Sequence, residues 1–330
     1  KHGTVTLVVH GECYEITTYR VDGEYLDSRH PESVTFTASL TEDLSRRDFT
    51  MNAISYNPKR GLFDPFFGRE DIEKRVIRAV GVAKCRFEED ALRILRGARF
   101  AATTGFSVEK KTRAAMTDTA NLLSRIASER IYIEWKKLLS GEFAYRALSE
   151  FSDVISVFLP ELNTSNLPDA SLFLSADFYT RQLALFYLSC KDSAARDFDA
   201  AMRRLKTDKA TRESGAIILS SVGKYDSTTS RGRHIMLATL GDANIAQRLV
   251  SLEVLLGITD AVCERALAST LSLGIPYRIS DLKIGGEELS SLGFCGREIG
   301  KMLKSLLFAV ANGEVENTKE ALTSFVAQNK

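Results

Sequence analysis

Residues Arg78–Phe106 read RAVGVAKCRFEEDALRILRGARFAATTGF. At the centre lies Glu88-Glu89-Asp90-Ala91-Leu92-Arg93-Ile94-Leu95-Arg96. Leu92, Leu95 and Phe100, joined by Ile94 and Ala98, form an apolar stripe at helical spacing. A helix through this stretch puts Asp90 and Arg93 on one face, three residues apart. Asp90 offers acceptors and Arg93 a rigid fork of donors. Such a pair can read the polar edge of a nucleobase. The same spacing also suits a plain helix ion pair, worth about 0.2–0.5 kcal/mol. Spacing alone leaves both readings open.

Outward from this stretch, the chain divides unevenly. Upstream it is strand-rich. Thr4–Val9 (TVTLVV) and Cys13–Arg20 (CYEITTYR) read as a hairpin turned at His10-Gly11-Glu12. On the second strand Cys13, Glu15, Thr17 and Tyr19 share a face. Glu15 is thus a strand carboxylate, aimed either into a site or into solvent. Val21–Ser39 is polar and rich in Asp, Gly, His and Pro, so it reads as a long loop with a short strand at Val34-Thr35-Phe36. Leu40–Asn52 carries a short helical face, then Arg46-Arg47-Asp48, whose guanidinium forks suit phosphate oxygens. Ala53–Asn57 reads as a buried element, and Pro58–Gly61 as a turn. Asp71–Arg78 reads as the start of a short helix.

Downstream of about residue 85 the periodicity is helical almost throughout. Helices are expected over Val108–Thr119, Asn121–Leu139, Phe143–Phe158, Ala176–Ser189, Ala194–Leu205 and Thr211–Ser221. They continue over Arg233–Leu240, Ile245–Leu256, Asp260–Leu273, Ser280–Leu292, Arg297–Ala311 and Thr318–Ala327. Trp135 falls at a core position. Thr164–Pro168 reads as a linker, and Gly313 as a helix stop. The fold class is therefore α+β: a small sheet unit, then a long all-α body.

Composition narrows the chemistry. The 330 residues are 44% apolar and 26% charged, with a net charge of +1. That describes a water-soluble globular chain without a global basic signature, so any nucleic acid must meet a local patch. No apolar run reaches the ~20 residues that span a membrane. The five cysteines are odd in number, scattered and without CxxC spacing, which argues against a disulfide framework or a cysteine zinc site and fits a reducing cytoplasm. The four histidines lack metal spacing, and no P-loop or GxGxxG occurs. A strand carboxylate, paired arginines and the Asp90/Arg93 pair remain. They suit phosphate and base recognition.

Several long motifs in order carry a resemblance. HGTVTLVVHGECYEITTYRVDGEY (2–25), RRDFTMNAI (46–54), LFDPFFG (62–68), RFEEDALRILRGARFAATTGF (86–106), IASERIYIEWKKLL (126–139) and the tail at 279–322 resemble the class II CCA-adding tRNA nucleotidyltransferase and bacterial poly(A) polymerase family. The resemblance implies a polymerase-β-like head sheet with helical neck, body and tail. It divides the chain into a partial head (1–65), a neck with the nucleotide-reading helix (66–162), a body (163–268) and a tRNA-binding tail (269–330).

The activity implied is addition of C, C and A to a tRNA 3′ end from CTP and ATP, without a nucleic-acid template. The implied partners are the tRNA acceptor arm, CTP and ATP, with Mg²⁺ as cofactor. Asp90 and Arg93 would read the base. Arg47, Asp48 and Asn52 would shape the triphosphate and sugar pocket, with Arg96 in support. Arg20 and Asp22 would stand at the base of a loop that switches specificity. Glu129 and Arg130 would brace the neck against the template helix. The family's metal-binding DxD aligns upstream of Lys1, so the 330 residues are expected to be inactive alone, with Glu15 as the remaining acidic neighbour. An HD phosphohydrolase motif is missing from Arg181–Cys190, so that activity is not expected. Poly(A) polymerase, partial C- or A-adding activity and non-catalytic tRNA binding are the alternatives.

Overall fold

The structure is a computed structural model that describes residues 4–23, 34–164, 167 and 176–329. The expected α+β class is what it shows: short strands early, then helices. The chain forms two compact units. The first is Lys1–Cys190 with Ala200–Thr207, and the second is Lys191–Asp199 with Asp208–Lys330.

In the first unit, β1 (Thr4–Val9) and β2 (Glu12–Thr17) pair antiparallel, with Val9 opposite Glu12. His10 (φ 51°) and Gly11 (φ 84°) both take positive φ, as a two-residue type I′ turn demands. β2 stops at Thr17, short of the expected Arg20, so Tyr19 does not share its face. β3 (Arg20–Asp22) pairs instead with β4 (Val34–Phe36). Val21 and Asp22 therefore belong to a strand, and residues 24–33 of the expected loop lie outside the described residues. Most of the expected Thr164–Pro168 linker lies outside them too.

Three further expectations change. Ser55–Asn57 (β5) pairs with Gly61–Phe63 (β6), and Tyr56 is 72% exposed, so this hairpin is a surface element. The helix expected from Asp71 begins at Gly68 and ends at Glu73. Val76–Ile77 (β7) then turns into a parallel pair with Ser107–Val108 (β8). Near the C-terminus, Ser280–Leu292 is a 3₁₀ turn at Ile279–Asp281 followed by a short helix at Gly286–Ser291.

The nucleus of the first unit is helical. With α1 (Leu40–Ser45) and α2 (Gly68–Glu73) upstream, α3 spans Ala83–Glu89, α4 Leu92–Thr104, α5 Lys110–Thr119 and α6 Ser128–Leu139. α4 packs along α6. Phe49, Phe87, Ile94, Leu95, Trp135 and Leu138 are fully buried. Each such side chain removed from water contributes about 1.5–3 kcal/mol. Trp135, expected in the core, is buried and donates through Nε1 to Gln182 Oε1 at 3.0 Å. In the second unit, Leu289, Leu303, Leu306, Leu307, Leu322 and Val326 form a core between the C-terminal helices. Arg297–Ala311 is helical over the span expected, and Gly313 stops it at φ 74°.

Candidate nucleotide site

Two breaks in the helical run make the site. The first falls at Asp90, whose backbone is extended (φ −139°, ψ 100°). Asp90 and Arg93 therefore do not share one continuous helix, as the periodicity predicts. Asp90 Oδ1 accepts from the Leu92 N–H at 3.1 Å and so satisfies a backbone donor at the head of α4. Asp commonly makes this local bond, and it competes with helix continuation. The signal was the residue itself: Asp favours helix starts over interiors. The second break, at Ala127 (ψ 130°), separates a 3₁₀ turn at Ala120–Arg125 from α6. It releases Arg130 to face the first break.

Across these breaks Arg130 Nη2 meets Asp90 Oδ2 at 3.1 Å. Arg93 does not pair with Asp90. Its guanidinium donates to Glu89 Oε2 (2.8 Å), Arg86 O (3.0 Å) and Arg46 O (2.8 Å). The side chain is thus fixed. Of its five N–H donors, these three bonds leave two.

A cavity of about 480 Å³ opens beside these groups. Arg47, Asp48, Asn52, Asp90, Arg93, Arg96 and Arg130, all site residues expected from the sequence, line it. Arg46 and Phe100 join them. The volume lies in the usual range for small-ligand sites. Asp48 is only 7% exposed. Its Oδ2 accepts from Arg96 Nε (2.7 Å), and its Oδ1 from Asn52 Nδ2 (3.0 Å) and the Phe49 N–H (2.8 Å). Burial pushes the Asp48 carboxyl up, but Arg96's charge and the bonds from Asn52, Arg96 and Phe49 outweigh it, leaving the pKa below the ordinary 3.8.

Behind Arg96 stands a carboxylate the sequence reading passed over. Glu134 on α6 is 4% exposed. Arg99 Nε lies 2.9 Å from its Oε2, Lys137 Nζ 3.5 Å from its Oε1, and Arg96 Nη1 4.0 Å from its Oε1. The Arg99 guanidinium stacks 3.6 Å from the centroid of the Phe100 ring, which meets Phe49 edge-on at 5.7 Å. Burial lowers the Arg99 pKa, and Glu134's charge is the main opposing influence.

Other expected residues lie elsewhere. Glu15 sits opposite Thr6 on the exposed hairpin. The Arg20 N–H donates to Asp43 Oδ1 at 3.2 Å, and Arg20 is not among the described residues that line the cavity. Glu129 reaches Lys206 Nζ at 3.1 Å, and Arg130 pairs with Asp90. Among the described residues, no group of three or more His, Cys, Asp or Glu is placed to hold a metal ion. Nor is any described helix long and apolar enough to cross a membrane.

The chain matches the family model for the Poly A polymerase head domain over residues 1–78. It matches the model for the probable RNA and SrmB- binding site of polymerase A over residues 105–165. The CCA-adding enzyme of Geobacillus thermodenitrificans is 36% identical over 340 residues, covering 99% of this chain and 82% of the relative. That identity and coverage decide the matter. The chain belongs to the CCA-adding enzyme and poly(A) polymerase family. The CCA-adding enzyme of Streptococcus gordonii is also 36% identical, over 338 residues, with 100% and 83% of the two chains covered. The crystal structure of the Bacillus stearothermophilus CCA-adding enzyme in complex with CTP superposes with a TM-score of 0.85 at 30% identity, covering 100% of this chain and 82% of that one. Membership in this family gives the two helix breaks a shared context: both lie in stretches that the sequence resemblance marked as motifs.

Proposed function

We propose that this protein is a CCA-adding tRNA nucleotidyltransferase that takes CTP and ATP and needs no nucleic-acid template. One observation carries the reading: Asp90 and Arg93 line one cavity whose other walls bear Arg47, Arg96 and Arg130. Cytosine and adenine share an edge, an exocyclic amine beside a ring-nitrogen acceptor. A carboxylate accepts from the amine, and a guanidinium donates to the ring nitrogen. Uracil and guanine reverse that edge, so they would set acceptor against acceptor. The CTP complex of the structural neighbour and the name of its relatives support the same choice.

Within this reading Arg47, Asp48, Asn52 and Arg96 shape the triphosphate and sugar side. Arg20 and Asp22 serve the loop that follows them, and Glu129 with Arg130 steadies the neck. Residues 1–65 act as part of the head, 66–162 as the neck, 163–268 as the body and 269–330 as the tail that grips the tRNA acceptor arm through phosphates and shape. The tRNA 3′-hydroxyl oxygen bonds to the α-phosphorus, the bond to the β-phosphate oxygen breaks, and pyrophosphate leaves. Mg²⁺ is the cofactor expected for such transfer. Among the described residues no group of three or more His, Cys, Asp or Glu is placed to hold it.

The test incubates the full-length protein with a tRNA that ends at the position before CCA. CTP and ATP together should extend it by three nucleotides, and CTP alone by two. A long tail from ATP on generic RNA would sink the reading in favour of poly(A) synthesis. Binding supplies a check independent of catalysis. Asp90→Ala should cut selection of CTP and ATP over UTP and GTP by about tenfold or more. Lower stability with selection intact would overturn the base-reading role.

A further inference from the structure

We infer that Glu134 is a positioning residue for nucleotide binding: its buried charge holds Arg96 and Arg99, and through them the Arg96 and Phe100 walls of the cavity. This rests on the nucleotide-site reading above. Glu134 lies on α6 four residues after Arg130 and therefore on the same helical face. Arg130 grips Asp90 from that face, and Glu134 meets the arginines of α4. One helix thus supports both Asp90 and Arg96, two of the residues that line the cavity.

The geometry shows which property of Glu134 matters. Glu134 Oε2 and Arg99 Nε lie 2.9 Å apart in a buried ion pair. Attraction between the opposite charges outweighs hydrogen bonding in that contact. The approach of Arg96 Nη1 at 4.0 Å is likewise ionic. Arg96 sits between two buried carboxylates, Asp48 at hydrogen-bond distance and Glu134 at ion-pair distance. Without Glu134's charge, Arg96 and Arg99 face each other with one counterion fewer. Arg99 also loses the partner that keeps its guanidinium against Phe100.

Two substitutions separate charge from shape. Glu134→Gln keeps the size and removes the charge. Glu134→Asp keeps the charge and shortens the side chain. CTP and ATP binding is measured by titration calorimetry on both, with thermal melts alongside. Glu134→Gln is expected to weaken CTP and ATP alike by about tenfold, the scale of one charge-assisted contact. The preference for CTP and ATP over UTP and GTP stays, because Arg96 and Phe100 do not read the base edge. Glu134→Asp should recover part of the loss. Wild-type affinity in Glu134→Gln overturns the inference. So does a stronger loss in Glu134→Asp than in Glu134→Gln, which would make shape the operative property. If the unaltered protein binds neither CTP nor ATP, the nucleotide-site reading itself fails, a result distinct from either.

Discussion

Asp48 shows how one residue couples the site to stability. Its folded pKa lies below 3.8, so it contributes stability that is present above the unfolded value and lost as pH falls through the folded one. At neutral pH the ionised carboxylate holds Arg96, Asn52 and the Phe49 N–H. Asp48→Asn leaves Arg96 without that charge and should cost about 2 kcal/mol at pH 7. Denaturant titrations at a series of acidic pH values should show the gap between variant and wild type closing as wild-type Asp48 takes up its proton. A gap that stays constant with pH would mean that packing, and not the carboxylate charge, sets the cost. Little of this network was legible in advance. Arg47, Asp48, Asn52, Asp90, Arg93, Arg96 and Arg130 were picked from motifs, and the fold brings them to one cavity. Their bonding was not readable, since Arg96–Asp48 spans 48 residues and Arg130–Asp90 spans 40. Glu134 was missed for the same reason: a lone Glu in an amphipathic helix looks like any solvated position until a second helix covers it.

At the scale of elements, periodicity recovered α4 to α6 as helical and failed at their ends. The run through Glu88–Arg96 keeps its apolar spacing across Asp90, so no pattern of apolar residues marks the break. What interrupts the helix is a polar bond, Asp90 to the Leu92 N–H, held by an arginine distant in sequence. The surface hairpin β5–β6 misled for the opposite reason. Its apolar residues look buried in sequence but stand exposed. Contact between helices rests on small residues that spacing does not reveal. A Cβ at Gly141, just past α6, would lie 2.3 Å from the Ala102 carbonyl oxygen of α4. The neighbouring Phe143 N–H donates to that same oxygen at 2.8 Å, and Gly141's own carbonyl accepts from buried Arg181. The obstacle is backbone, so no rotamer change relieves it. Gly141→Ala should destabilise the first unit by about 2–3 kcal/mol, with the helix content retained. Circular dichroism melts check this, and an unchanged melting temperature would show that the loop after α6 shifts freely.

Over the whole molecule, one buried carboxylate in each unit answers pH with opposite sign, and the difference lies in how each is partnered. Asp48 in the first unit has Arg96 beside it. In the second unit, helices span Ala243–Leu255 and Val262–Ser272, and Glu253 is 1% exposed. Its Oε1 accepts from the Gly223 N–H at 2.8 Å. Burial raises the Glu253 pKa above 4.5, and the bond from Gly223 only partly opposes it. A raised carboxyl contributes stability that is fully present below the unfolded value and lost as pH rises through the folded one. At neutral pH the charge is therefore a cost, while the acceptor oxygen is an asset. Glu253→Gln keeps an oxygen for Gly223 and discards the charge. It should stabilise the second unit by about 1 kcal/mol at pH 7 and change little in acid, where wild-type Glu253 is already neutral. Hydrogen exchange resolves the two units separately. Slower exchange across Ala243–Leu255 at pH 7, with Leu92–Thr104 unchanged, is the expected result. Faster exchange across Ala243–Leu255 would mean that the ionised carboxylate is itself the stabilising species there.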